Sequence, residues 1–216
     1  MKRYLGLFPV LGLMGVLAAC SGDDASMDDM DMSAPPEQTA QTPATAGGLS
    51  CFLAGATLAE AQQRVSPHST LSFDIGSNPA LLCYGAPSAQ GREIMGGLVP
   101  YGEPWRIGAD EPTTLHLSGR ANVGGVPLDP GSYSLYAIPG EESWEFFINT
   151  NFQRWGIPID ADVRSTEIGS FRVTPQALPS MVERLTYEWE EATGGEPGGE
   201  ILLEWENTLL RLIVEG

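Results

Sequence analysis

The sequence predicts an all-β domain: an antiparallel β-sandwich, or a partly open barrel, with one short N-terminal helix. Three observations predict it. Apolar residues alternate with polar ones, as in Leu71, Phe73 and Ile75 or Leu185, Tyr187 and Trp189. The alternating runs are short and numerous. The chain also carries 26 Gly and 17 Pro among 216 residues, which punctuate it into strands and turns. Period-two patterning of this kind buries one face of each antiparallel sheet, and such sheets close as sandwiches or barrels.

The first segment, residues 1–19, is built like a secretory signal. Lys2 and Arg3 start it, and Tyr4 to Leu17 form an apolar core of 14 residues. That is short of the roughly 20 residues of a membrane span. The run Leu17-Ala18-Ala19-Cys20 that follows resembles a bacterial lipobox. The resemblance implies cleavage before Cys20 and acylation of Cys20, with more than one acyl chain giving stable anchoring. Ser21 in the next position resembles lipoproteins sorted to the outer membrane, facing the periplasm or the exterior. Residues 20–48 have no apolar period and read as a disordered acidic tether of Met, Asp and Pro. Met27, Met30 and Met32 in that tether offer thioethers to a soft ion such as Cu(I), a metal-handling role. The bland reading is a solvated linker, which no His or Cys reinforces.

Residues 49–216 read as a single β-sandwich domain. Thr57-Leu58-Ala59-Glu60 fits a capping box and predicts the helix, which Arg64-Val65-Ser66-Pro67 stops. Strands are expected from Ser69 to Ile75, Ala80 to Tyr84 and Thr113 to Leu117, the last with His116 facing outward. Ser132 to Ile138 and Trp144 to Ile148 pair around the Pro139-Gly140 turn. Tyr133 and Tyr136 fall on opposite faces, so one is expected in the core and one outside. Phe171 and Val173 mark a short strand. Two last alternating runs flank the turn Gly194 to Gly199, and Asn207-Thr208 is expected to turn the chain once more. Trp144, Trp155, Trp189 and Trp205 read as core or rim aromatics.

Charge excludes one class of function. The net charge is -17, and removing Lys2 and Arg3 leaves 9 basic residues, all Arg, against 28 acidic ones, or -19. A body this acidic repels phosphate backbones, so nucleic acid is not a partner. Membrane contact is left to the lipid anchor. Setting Cys20 aside leaves Cys51 and Cys83, an even pair in an oxidising compartment, which predicts a disulfide. The alternative is a soft metal site that uses both thiolates with His68. Two isolated His make no zinc signature, and nothing calls for a cofactor.

The middle of the chain is more specific. Cys83 to Ser88 leads to Gly91-Arg92, then to Gly96 through Gly102, then to Trp105-Arg106-Ile107-Gly108-Ala109-Asp110-Glu111-Pro112-Thr113-Thr114, and finally to Pro130 through Gly140. In that order and spacing these blocks resemble the bacterial family known as domain of unknown function 2911. The similarity runs from about Ser66 into the last strands. The family brings no activity with it. Ala86 stands where members usually have a basic residue and Asp110 where they usually have Asn, which implies weaker binding here of any anion held by that basic residue.

The densest polar set lies in these blocks: Arg92, Trp105, Arg106, Asp110, Glu111 and Thr113, with Thr114 beside them. Arg forks hold carboxylate or phosphate, and Trp offers a flat face. Two functions compete. One is a non-catalytic envelope module that binds a small molecule or an envelope protein. The other is a hydrolase-like envelope enzyme using Glu111 and Asp110 with Arg92 and Arg106. A buried charge here needs a partner, so Arg106 and Glu111 are expected to form an ion pair that pins the loop.

Overall fold

The computed structural model describes residues 48–216. The signal segment, Cys20 and the Met-containing tether lie outside them. Ten strands form two antiparallel sheets that face each other and do not close into a barrel. The first sheet has six strands, ordered β1 (His68–Ile75), β2 (Asn78–Gly85), β3 (Thr113–Leu117), β6 (Gly131–Ile138), β7 (Trp144–Asn149) and β8 (Glu167–Val173). The second has four, ordered β5 (Val126–Leu128), β4 (Ala121–Val123), β10 (Gly198–Glu215) and β9 (Gln176–Glu191).

The alternating residues meet between the sheets. Phe73, Leu82, Leu115, Leu135 and Phe146 from the first pack against Leu185, Ile201, Leu203 and Leu212 from the second. Helix α1 (Leu58–Gln62) carries the expected capping box, with Thr57 and Glu60 satisfying each other's backbone groups. A second helix, α2 (Ala161–Arg164), was not anticipated and is capped by Asp160.

Several expectations are corrected. The centre of the six-stranded sheet is buried on both faces, since all five residues of β3 are buried. The N-terminal segment covers its outer face through the Cys51–Cys83 disulfide, and residues 150–166 cover the rest through Phe152 on His116 and Val163 on Asn149. His116 is therefore inside, held by Thr114 Oγ1 at 3.0 Å and Ser132 Oγ at 2.8 Å. Tyr133 is the expected core residue, and Tyr136, on the opposite face, is buried as well. Asn207-Thr208 makes no turn. β10 runs straight through, and a bulge at Glu206, with φ of 54°, absorbs the break in apolar pattern. Trp144 and Trp205 are core residues, Trp189 stacks on Phe73 at 4.4 Å, and Trp155 is 47% exposed.

Candidate functional site

The segment from Trp105 to Thr113 crosses one end of the sandwich, and nearly every backbone constraint on it can be named. Trp105 exchanges two backbone hydrogen bonds with Ala137, at 2.7 and 2.9 Å. The Ile107 carbonyl accepts from Thr113 Oγ1 at 3.0 Å and from Tyr187 Oη at 2.8 Å. The Asp110 carbonyl accepts from Gly156 N–H at 3.0 Å. Gly85 lets the loop approach β2, because a Cβ there would lie 2.3 Å from the Ala109 carbonyl oxygen.

This crossing forces unusual backbone. Ile107 and Asp110 take φ of 48° and 60°. A β-branched residue in that region is a true outlier, and a buried Ile held by two hydrogen bonds to its carbonyl supplies the compensation. Asp tolerates the left-handed region, so Asp110 fits the loop geometry.

The loop sends its charges two ways. On one side lies a dry acid. Glu111 is buried, and its Oε2 accepts from Arg64 Nη1 at 2.5 Å. Arg64 also stands 4.0 Å from Asp110 and 5.9 Å from the centre of the Trp155 ring. The Glu111 hydrogen bond, with the two carboxylates, raises the Arg64 guanidinium above its ordinary value against a smaller effect of burial. His68 is buried nearby, and burial lowers its imidazole below the usual range, with Glu111 opposing and Arg64 reinforcing. Glu111 Oε1 and His68 Nε2 have no hydrogen-bond partner among the described residues. The expected Arg106–Glu111 pair is thus replaced by Arg64–Glu111. Arg106 turns toward a separate cleft, and Arg64, just beyond the capped helix, is the guanidinium that reaches Glu111.

That cleft is open, with a volume of about 320 Å³, and is lined by Arg92, Leu98, Trp105, Arg106, Pro87 and Trp205 among others. Trp105 and Trp205 stack at 5.9 Å with their planes 17° apart, and Trp144 meets Trp105 edge-on at 5.8 Å. Arg106 runs its stem past Gly156, where a Cβ would lie 2.5 Å from Arg106 Cδ. Burial lowers the Arg106 guanidinium below its ordinary value, partly offset by Asp110, and Nε has no partner among the described residues. Arg92 spends Nε and Nη2 on the carbonyls of Ala89 and Ser88, at 3.0 and 2.7 Å, which aims the rest of its guanidinium outward.

Of the residues singled out from sequence, the structure brings Arg92, Trp105 and Arg106 to one cleft, and Asp110 and Glu111 are not part of its lining. Thr113 is a buried loop anchor. Arg64 and Trp205 were missed, because they come from 47 residues before Glu111 and from the middle of the last strand, and no spacing links them to the loop. Cys51 and Cys83 form the expected disulfide, with Cα atoms 5.8 Å apart. No described helix is long and apolar enough to cross a membrane.

Comparison with known proteins gives one relationship. Residues 66–214 match the model of a family described as a protein of unknown function (DUF2911), and the chain belongs to that family. No curated protein and no solved structure matches it.

Proposed function

From membership in a family without an assigned activity, we propose that this chain is a lipid-anchored envelope module that binds a small anionic ligand without transforming it. One observation carries the binding. In a chain with 28 acidic residues and 11 basic ones, the cleft is lined by two Arg and by no carboxylate among the described residues. A paired Trp floor beside two guanidinium groups suits a carboxylate or phosphate borne on a flat or apolar body.

The chemistry disfavours catalysis. Glu111 is the one buried carboxylate among the described residues, and Arg64 neutralises it at 2.5 Å. Glu111 is committed to the Arg64 hydrogen bond and is not among the residues lining the cleft that holds Arg92 and Arg106. The envelope location rests on the lipobox-like run ending at Cys20 and is supported by the Cys51–Cys83 disulfide, a bond that persists outside the cytoplasm.

Tryptophan fluorescence tests the ligand class. Benzoate and inorganic phosphate are titrated against neutral benzamide, in wild type and in Arg92→Ala. Benzoate is expected to perturb the Trp105–Trp205 pair saturably and to bind about tenfold more weakly to Arg92→Ala. Equal binding of benzamide, or no response to either anion, removes the proposal. Mass spectrometry of protein from the membrane fraction tests the anchor, and an unmodified Cys20 overturns it.

A further inference from the structure

The outer face of the six-stranded sheet holds a group that the cleft does not use. Cys51, Cys83 and His68 place their two sulfurs and one imidazole nitrogen all within 4.8 Å of one another. Their backbones have different freedoms. Cys83 lies in β2 between two paired strands, and His68 opens β1, paired with Gly85. Cys51 sits in a stretch without regular structure ahead of α1. Two donors therefore lie in the sheet ladder, and the third lies outside it.

His68 is the second, independent sign. Its side chain is 7% exposed, and Nε2 is buried with no partner among the described residues. A buried imidazole nitrogen left unpaired is destabilising, and the oxidised cysteines give it nothing to bond.

We infer that Cys51, Cys83 and His68 form a redox-gated site for a thiophilic d¹⁰ cation, Cu(I) or Zn(II), closed while the disulfide stands and open when it is reduced. A dithiol reductant transfers two electrons and two protons to the disulfide, leaving two thiols and the reductant's own disulfide. The cation then displaces one proton from each thiol and binds two thiolates and the neutral imidazole. Two thiolates on one tetrahedral ion lie about 3.8 Å apart at metal–sulfur distances of about 2.3 Å. Cα atoms 5.8 Å apart permit that separation with a small shift of the Cys51 segment. Two thiolates with one imidazole make a soft donor set that favours Cu(I) and Zn(II) over hard cations. The site is independent of the anion cleft, which uses none of these residues.

The test is a competition titration of the purified full chain against a chromophoric chelator, one for Cu(I) and one for Zn(II). The protein is compared oxidised and after reduction by a phosphine, which does not itself hold the metal as a dithiol would. Reduction is expected to create one additional equivalent of binding for at least one of the two ions. Cys51→Ser should abolish that equivalent, whatever the tether methionines bind, because they are present in both states. His68→Ala should weaken it at least tenfold, and His68→Gln serves if the alanine variant does not fold. Cobalt(II) supplies the signature, a thiolate charge-transfer band in the reduced wild type that Cys83→Ser lacks. Equal binding by oxidised and reduced protein, or undiminished affinity in the folded His68 variant, overturns the inference.

Discussion

The Arg64–Glu111 pair and the Arg106 cleft, both attached to the loop from Trp105 to Thr113, are built on opposite principles. On the Glu111 side every charge has a near partner, and the group is closed under Arg64, Trp155 and the disulfide-bound N-terminal segment. On the Arg106 side two guanidinium groups line an open cleft over stacked Trp rings with no carboxylate in its lining. The contrast teaches that a dense set of polar residues is not one site. A backbone that twists through two left-handed residues deals successive side chains to different surroundings. Glu111 is held by Arg64, and the Arg92 and Arg106 guanidinium groups line the cleft.

Substitutions on the closed side are expected to act on stability. The largest effect belongs to the disulfide. Replacing Cys51 and Cys83 with Ser releases a link of sequence separation 32, worth about 3 to 4 kcal/mol in the chain-entropy model. Urea unfolding measures it, and a loss under 1 kcal/mol shows that the covering segment holds without its bond.

Acid comes next. Burial depresses the His116 imidazole from 6.5 to about 4, so the folded state holds it neutral while the unfolded chain takes a proton. Stability from this group is complete above about pH 6.5, falls as pH drops toward 4, and is level below that. The loss is at most about 3 kcal/mol. His68, shifted the same way, adds to the fall in the same direction. Unfolding free energies from pH 7 to pH 4 check this, with His116→Gln expected to flatten the slope.

Glu111→Gln should cost about 2 kcal/mol, less than a fully buried pair because Arg64 keeps 22% of its side chain in solvent. A melting temperature equal to wild type breaks the comparison, since it makes Glu111 as dispensable to the fold as a cleft residue. Arg92→Ala should leave stability within about 0.5 kcal/mol, as exposed changes do, and show its effect in benzoate binding alone. A large loss of stability there blurs the two sides from the other direction.

Much of the fold was readable because it rests on local pattern. The capping box at Thr57 and Glu60, the period-two runs and the cysteine pair each carry their own signal. The failures share a cause. His116 and Tyr136 alternate as outward residues should, yet the covering segments bury them, and cover is a tertiary fact that strand periodicity does not encode. The candidate site was half readable. The blocks around Arg92, Trp105 and Arg106 stand out in sequence, but Arg64 and Glu111 meet across 47 residues, a pairing decided by which guanidinium arrives from which side. The same limit hid the bulge at Glu206, where a break in the apolar pattern looked like a turn.

That bulge has a consequence for the order in which the protein is finished. The Glu206 carboxylate oxygens accept from the backbone N–H groups of Ile94 and Met95, each at 3.4 Å and across 112 and 111 residues. Its neighbour Trp205 supplies the cleft floor. A chain made from its N-terminus carries Arg92, Trp105 and Arg106 long before it carries Trp205. Contacts this distant in sequence form slowly. The cleft is therefore completed late in the nascent chain, and a product truncated before its last strand bears the recognisable motifs without the Trp205 wall that they meet in the finished fold.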